Sequence, residues 1–385
     1  MKKTLLLLTA LVLPFLSLAQ NIIKGKITDN LTGTAIQFVT IMVNEKTKTI
    51  TNESGEFELN IASLPATVFI SHVSYEAVKV NKVDESVLNI KLKPLTVTLK
   101  EVVIGDYATM LMKNAYEKGK ENKESDNYAK GFLRQIAYEA DRPTYLNEMY
   151  FNGNWRNYGM IKWRPLEARY LRDRATVSYT NFSFFTLAMS GFLANSVHHK
   201  GLVEKLDSLY SFKLKGTYQL GDQEIAIISS TPKVKITRMY FEGDYFINTS
   251  TFEVLKLEGT VFNFNLSSSG IMGIKNDGLK LMAQFKIDKN GANVLDFSTF
   301  SVSSRLKVLG IGAKTTTFAS TLFMVDYNDV FNKDLQELNA KTNDINTTKG
   351  INFNANFWNE NQTIKRTAKE EQAIQTLEAA QQQKK

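Results

Sequence analysis

Not one of the 385 residues is a cysteine. Disulfides, thiolate nucleophiles, cysteine-ligated zinc and iron–sulfur clusters are thereby excluded together. The exclusion weighs heavily because the chain opens like an exported one. Lys2 and Lys3 precede an apolar run from Leu5 to Leu18, broken by Pro14, and Ser17 and Ala19 place small residues where a signal peptidase reads. We expect residues 1–19 to be a signal peptide, cleaved before Gln20. This run is shorter than the about 20 apolar residues that span a bilayer, as is the most apolar later stretch, Phe182 to Ala194. No transmembrane segment is expected after cleavage. An exported chain without disulfides holds its fold by core burial alone, and 43% hydrophobic residues supply the material. Without Lys2 and Lys3 the formal net charge of +8 falls to +6, from 45 basic and 39 acidic residues. Nucleic-acid binders concentrate their charge more strongly, so the expected partners exclude nucleic acid and include an envelope polyanion or glycan.

From Ile22 to Leu99 the pattern is one of short strands. Val39, Ile41 and Val43 alternate with Thr40 and Met42, Val68, Ile70 and Val73 mark another strand, and Asn52 to Gly55 form a hairpin turn in which glycine takes the positive φ. Such strands at regular spacing predict a small sandwich. A helix is expected from Asp106, with Ala108, Leu111 and Ala115 at helical spacing, to near Gly119. From Gly131 to Asp326 long alternating strands follow. Leu279, Leu281, Ala283, Phe285 and Ile287 make one apolar face, and Gly243 to Glu258 read as a hairpin turning at Asn248 to Thr251. After a polar stretch, Thr367 and Glu370 offer a capping box to a last helix carrying Ala373, Ile374 and Leu377.

Several segments together carry a resemblance. Gly25-Lys-Ile-Thr-Asp29, Thr32-Gly33, Ile36 to Ile41, Thr49 to Leu59 with its Gly55-Glu-Phe57 hairpin, and Ile70 to Tyr75 resemble the carboxypeptidase-like regulatory domain. Leu99 to Ile104 is similar to the segment that follows this domain in bacterial outer-membrane receptors. Asn52 stands where the family has Asp, and Ile36-Gln37 where it has Pro-Leu. The resemblance implies a seven-stranded transthyretin-like sandwich without catalysis of its own, in an envelope protein of Bacteroidetes type, periplasmic or outer-membrane-associated. The Gly243 to Glu258 hairpin and Phe357-Trp358 resemble the soluble middle part of larger outer-membrane proteins carrying that domain. The predicted fold class is mainly β: a seven-stranded β-sandwich over 20–100, then an α+β domain with a large antiparallel sheet and few helices over 101–333. Residues 334–385 are expected to be a polar segment and a C-terminal helix.

No catalytic, cofactor or metal residue is assigned. His198 and His199 are adjacent, so on a strand or a helix they cannot easily hold one metal, and His72 lies in the sandwich. No Gly-x-Ser-x-Gly elbow is present, Ser267 to Gly270 read as a turn, and Gly310 to Gly312 lack phosphate-cradle spacing. Asp222 with Glu224, and Glu242 with Asp244, read as solvated turn residues, though they leave a carboxylate-dependent hydrolase as a last alternative. Two stretches stand out. Trp155, Arg156, Trp163, Arg164, Arg169 and Arg172 crowd cations and aromatics together, which suits a polyanion or sugar site or else an outward sheet face. Phe182, Phe184, Phe185 and Phe192 lie in a run apolar on nearly all sides, which is buried, lines an apolar cavity as in outer-membrane lipoprotein carriers, or meets a partner such as an outer-membrane protein. The expected function is a non-enzymatic cell-envelope binding or scaffold protein, the alternative being a carrier or sensor of hydrophobic envelope molecules.

Overall fold

The computed structural model describes residues 21–44, 47–82, 84, 86–98, 106–121, 123–176, 181–194, 200–264, 273–308, 312–341, 343–361 and 363–383. The expected signal peptide, the Leu99 to Ile104 segment, His198, His199, Ser267 to Gly270 and Gly310 lie outside them. The chain divides into two compact units, one of residues 1–94 with 362–367 and the other of 95–361 with 368–385.

Seven strands build the first unit: β1 (Asn21–Asp29), β2 (Thr40–Val43), β3 (Thr47–Ile50), β4 (Glu56–Ile61), β5 (Ala66–His72), β6 (Tyr75–Lys82) and β7 (Leu88–Leu92). They form sheets of order β4-β1-β7 and β3-β2-β5-β6. Alternate residues such as Ile23, Ile27, Ile41, Phe57, Val68 and Ile70 point between the sheets into one core. At Gly25 the chain passes so close to β7 that an added Cβ would sit 1.9 Å from the Leu88 carbonyl oxygen. Gly55 takes φ +72° at the expected turn, and Asn52 Oδ1 accepts from the Ser54 and Glu56 amides at 2.9 Å each. An Asp here would offer the same acceptor oxygen. Two motif residues far apart in sequence meet: the Tyr75 hydroxyl donates to Asp29 Oδ2 at 2.9 Å, while Asp29 Oδ1 accepts from the Leu31 and Thr32 amides. The Thr32 amide foremost holds the Asp29 carboxyl below its usual range.

The unit also takes in a segment from almost 300 residues further on. Thr49 donates to the Thr363 carbonyl, Lys365 pairs with Glu56 at 3.3 Å, and Ile364 is 4% exposed. Phe57→Ala is expected to lower stability by about 3–5 kcal/mol and Ile364→Ala by about 2–4 kcal/mol, read from urea unfolding of the full chain. An unchanged midpoint for Ile364→Ala would show that the segment adds nothing to this unit.

The second unit contains α1 (Asp106–Glu121), β8 (Asn127–Glu139), β9 (Arg142–Arg156), β10 (Gly159–Arg172), α2 (Phe182–Ala188), α3 (Leu206–Leu209), β11 (Tyr210–Leu220), β12 (Gln223–Pro232), β13 (Tyr240–Asn248), β14 (Val254–Phe262), β15 (Gly273–Ile287), β16 (Asn293–Val308) and β17 (Gly312–Tyr327). A short β18 (Gln336–Glu337) follows, then α4 (Asp344–Thr348), α5 (Ala355–Glu360) and α6 (Ala368–Gln382). The strands make one eleven-stranded sheet in the order β11 to β17, then β8, β9, β10 and β18. All its pairings are antiparallel. The expected hairpin forms from β13 and β14, and Leu279, Leu281, Ala283 and Phe285 of β15 are buried as anticipated, while Ile287 is exposed.

This sheet curls. Strands lie about 4.8 Å apart, so β9 and β15, four steps apart in the order, would be separated by about 19 Å if the sheet were flat. The rings of Trp155 on β9 and Phe285 on β15 are nonetheless 6.0 Å apart. The concave face is packed by α1 through Leu111, Met112 and Ala115 and by the connection that carries α2. On the reverse face, Ala373, Ile374 and Leu377 of α6 cover Ile136, Tyr138, Leu146 and Leu171. Among the described residues no helix is long and apolar enough to cross a membrane.

Candidate functional site

The concave face is where the apolar run goes. Phe182 lies tilted against Phe318 at 4.3 Å and 6.2 Å from Phe300, Phe185 meets Phe264 edge-on at 5.5 Å, and Phe192 meets Phe285 at 5.1 Å. Phe182 and Phe192 are buried; Phe184 and Phe185 are half-buried. The space beside Phe192 at the end of α1 measures about 40 Å³, room for little more than water. The segment therefore occupies the hollow as a filling.

Polar contacts fix that filling in place. Gln135, Asn147 and Ser320 project from β8, β9 and β17 into the otherwise apolar face, and each is buried. Ser183 donates to Gln135 Oε1 at 3.2 Å and accepts from Asn147 at 3.1 Å, and Thr186 meets both Gln135 at 3.0 Å and Ser320 at 2.9 Å. Further on, Trp155 donates to Ser190 at 3.1 Å, and Gly191 runs so close to the 157–159 backbone that a Cβ would come within 2.3 Å of it.

At each end of the segment sits a buried ionisable group with no counter-ion among the described residues. Asp344, opening α4, accepts from the Ser183 amide at 3.4 Å and the Tyr145 hydroxyl at 3.3 Å. Burial pushes its carboxyl up to about 6, against the pull of hydrogen bonds from Ser183, Tyr145 and the Phe182 amide. Lys200 donates to the carbonyls of Met189, at 3.3 Å, and Gly191. Burial pushes its ammonium group down to about 7. Neither residue was visible as special in the sequence, since a lone Asp or Lys in a polar stretch carries no such mark.

The cation and aromatic stretch does not assemble into one patch. Partners across β9 and β10 share a face, and their register places Trp155 and Trp163 with Gly153 and Met160 on the concave side and Arg164 and Arg169 with Asn152 and Glu148 on the reverse. Trp155 and Trp163 are buried. Arg156 pairs with Asp126 at 2.8 Å and with Glu124, and Arg164 with Asp334 at 2.8 Å. Arg172 is exposed beside Tyr170, whose hydroxyl is pushed up to about 12 by burial while Arg172 pulls it down. Arg169 is nearly fully buried: with Arg134 it flanks the wholly buried Glu148, at 3.4 Å and 2.8 Å, and Glu378 and Glu370 of α6 close the cluster at 3.8 Å and 3.5 Å. Of the paired carboxylates, Asp244 is held by Lys215 at 2.6 Å and Glu224 accepts from Thr249 at 3.3 Å.

Residues 23–104 match the CarboxypepD_reg-like domain family. The Asp29–Tyr75 bond and the Asn52–Gly55 hairpin lie inside that match. Comparison with curated proteins found no match. Solved structures similar to the chain include a LolA superfamily protein from Nitrosomonas europaea, 13% identical over 60% of this chain and 99% of that chain with a TM-score of 0.22. Another is the MucA/MucB complex of Pseudomonas aeruginosa, 8% identical over 60% of this chain and 99% of that chain with a TM-score of 0.19.

Two predictions follow from the buried charges. Asp344 binds its proton more tightly folded than unfolded, so its contribution to stability is greatest below about pH 4 and falls as the pH rises to about 6. Lys200 binds its proton less tightly when folded, so stability should recover as the pH rises from about 7 towards 10. Unfolding curves of Asp344→Asn should lack the first slope, gaining on the order of 2 kcal/mol at pH 7, and those of Lys200→Met should lack the second. Separately, Arg169→Met should cost about 3–5 kcal/mol by exposing Glu148 to an incomplete pairing, and Arg164→Gln less than about 0.5 kcal/mol, compared by urea unfolding.

Proposed function

We propose that this chain is a non-catalytic binding protein of the cell envelope, exported by its leader, with the carboxypeptidase-like regulatory domain as a positioning module and the curled sheet as the binding body. The observation that carries this reading is the concave aromatic face closed by a segment of the same chain. A sheet face lined by Trp155, Phe285, Phe300 and Phe318, with Phe264 just beyond β14, offers a surface for apolar molecules, and α2 occupies it.

The more specific form, a carrier or sensor of hydrophobic envelope molecules, is favoured by how α2 is held. Its rings contribute burial that an apolar ligand could replace, and its Ser183 and Thr186 hydroxyls bond to Gln135, Asn147 and Ser320, as a ligand's polar end could instead. The two unpaired ionisable groups regain hydration when the segment leaves, which offsets part of the cost of opening.

Because the chain has no cysteine, a reversible lock is simple to install. Thr186→Cys with Ser320→Cys joins α2 to β17 at side chains whose oxygens are 2.9 Å apart. The double variant is expected to bind the fluorescent apolar probe N-phenyl-1-naphthylamine when reduced and to lose that binding when oxidised. Equal binding in both states, or no saturable binding in the wild type, would remove the carrier reading.

A further inference from the structure

The reverse face holds a second feature, independent of α2. Between β10 and the segment leading into α5 lies an open groove of about 600 Å³, lined by Leu166, Glu167 and residues 350–356. That size suits a small ligand. Phe353 borders it with 54% of its surface exposed, against 37% for Phe69, the other exposed phenylalanine among the described residues.

The ring is supported from beneath. The Arg169 guanidinium lies 5.6 Å from its centroid and 5.2 Å from the Trp358 ring, and Arg169 is itself fixed by Glu148 and Glu378. The backbone beside it is also fixed, because Asn354 Oδ1 accepts from the Phe357 amide at 3.1 Å and caps α5. Phe353 is thus a positioned platform whose remaining surface faces solvent.

The polar lining points to the class of ligand. Asn352 and Asn356 are exposed, Glu167 is half-buried, and none of the three side chains is bonded to another described residue. Amides both donate and accept and a carboxylate accepts, which matches ligand hydroxyl groups. The C–H face of a pyranose ring, slightly positive, matches the negative face of an aromatic ring. An anionic polymer is disfavoured: Arg169, beneath the platform, is already committed to two carboxylates, the lining residues include no cation, and Glu167 adds negative charge, with the exposed Lys349 beside Gly350 as the one basic neighbour in sequence. An apolar chain would leave these amides and the carboxylate desolvated without partners.

We propose that this groove binds a neutral carbohydrate, with Phe353 as the stacking platform and Asn352, Asn356 and Glu167 as hydroxyl partners. The test uses the full chain, titrated with chitotriose, maltotriose, cellotriose and mannotriose and followed by calorimetry. At least one is expected to bind saturably, with Phe353→Ala weakening it by about tenfold or more and Asn352→Ala together with Asn356→Ala by several-fold. Thermal unfolding should show Phe353→Ala folded, and Phe353→Tyr should keep binding. Absence of saturable binding by all four sugars below about 10 mM, or binding indifferent to Phe353→Ala, would overturn the proposal. So would salt-dependent binding of polygalacturonate that requires Phe353.

Discussion

Two successive meanders, β8 to β10 and β11 to β17, are joined edge to edge by the strands farthest apart in sequence, where β17 pairs with β8 from Thr316–Glu139 to Tyr327–Ala129. A register error of one residue there would turn every side chain of β8 to the other face. Gln135 would leave Ser320 and Thr186, Arg134 would leave Glu148, and the helices on both sides of the sheet would meet the wrong surface. The concave aromatic wall exists because this junction lets the first meander continue the curl of the second and brings Trp155 to Phe285.

The two faces solve opposite problems. On the concave side the sheet is apolar with a few polar islands, and α2 bonds to those islands with short hydroxyl side chains while its rings fill the hollow. On the reverse side two arginines surround one buried glutamate, and the desolvation that this entails is offset by further carboxylates from α6 and by aromatic rings beside both guanidinium groups. The reverse cluster sets two guanidinium groups against three carboxylates, so each buried charge there has an opposite partner. The concave pins, Asp344 and Lys200, are far from each other's end of the segment and uncompensated, which makes the filling costlier to hold than its ring contacts alone suggest.

Much of this was legible in the sequence, and the reasons differ by element. Period-two alternation exposed β2, β5 and the apolar face of β15 because each has one buried side. The motif residues Asp29 and Tyr75 marked the sandwich, though only the fold brings them into contact. The apparent cation and aromatic patch misled because it ignored parity: Trp155 and Arg156, like Trp163 and Arg164, are neighbours on a strand and must face opposite ways. That signal was present. The role of Phe353 was not legible, since an aromatic in an Asn-rich stretch has no periodicity to fix its surroundings, and its support comes from Arg169, 184 positions earlier. Asp344 and Lys200 were hidden for the same reason, because burial is a property of what folds over a residue.

The segment Gln362–Thr367 lies between α5 and α6, both of which belong to the second unit, yet it is counted with the first. The chain therefore passes between the units three times, at residues 94–95, 361–362 and 367–368. During synthesis β1 to β7 emerge well before Ile364, which belongs to their unit, and the strands β8 to β18 of the second unit emerge in between. The contacts of Thr49 with Thr363 and of Glu56 with Lys365 therefore form only after the strands of the large sheet have been made, so the sandwich gains its last partners later than a purely domain-by-domain order would give.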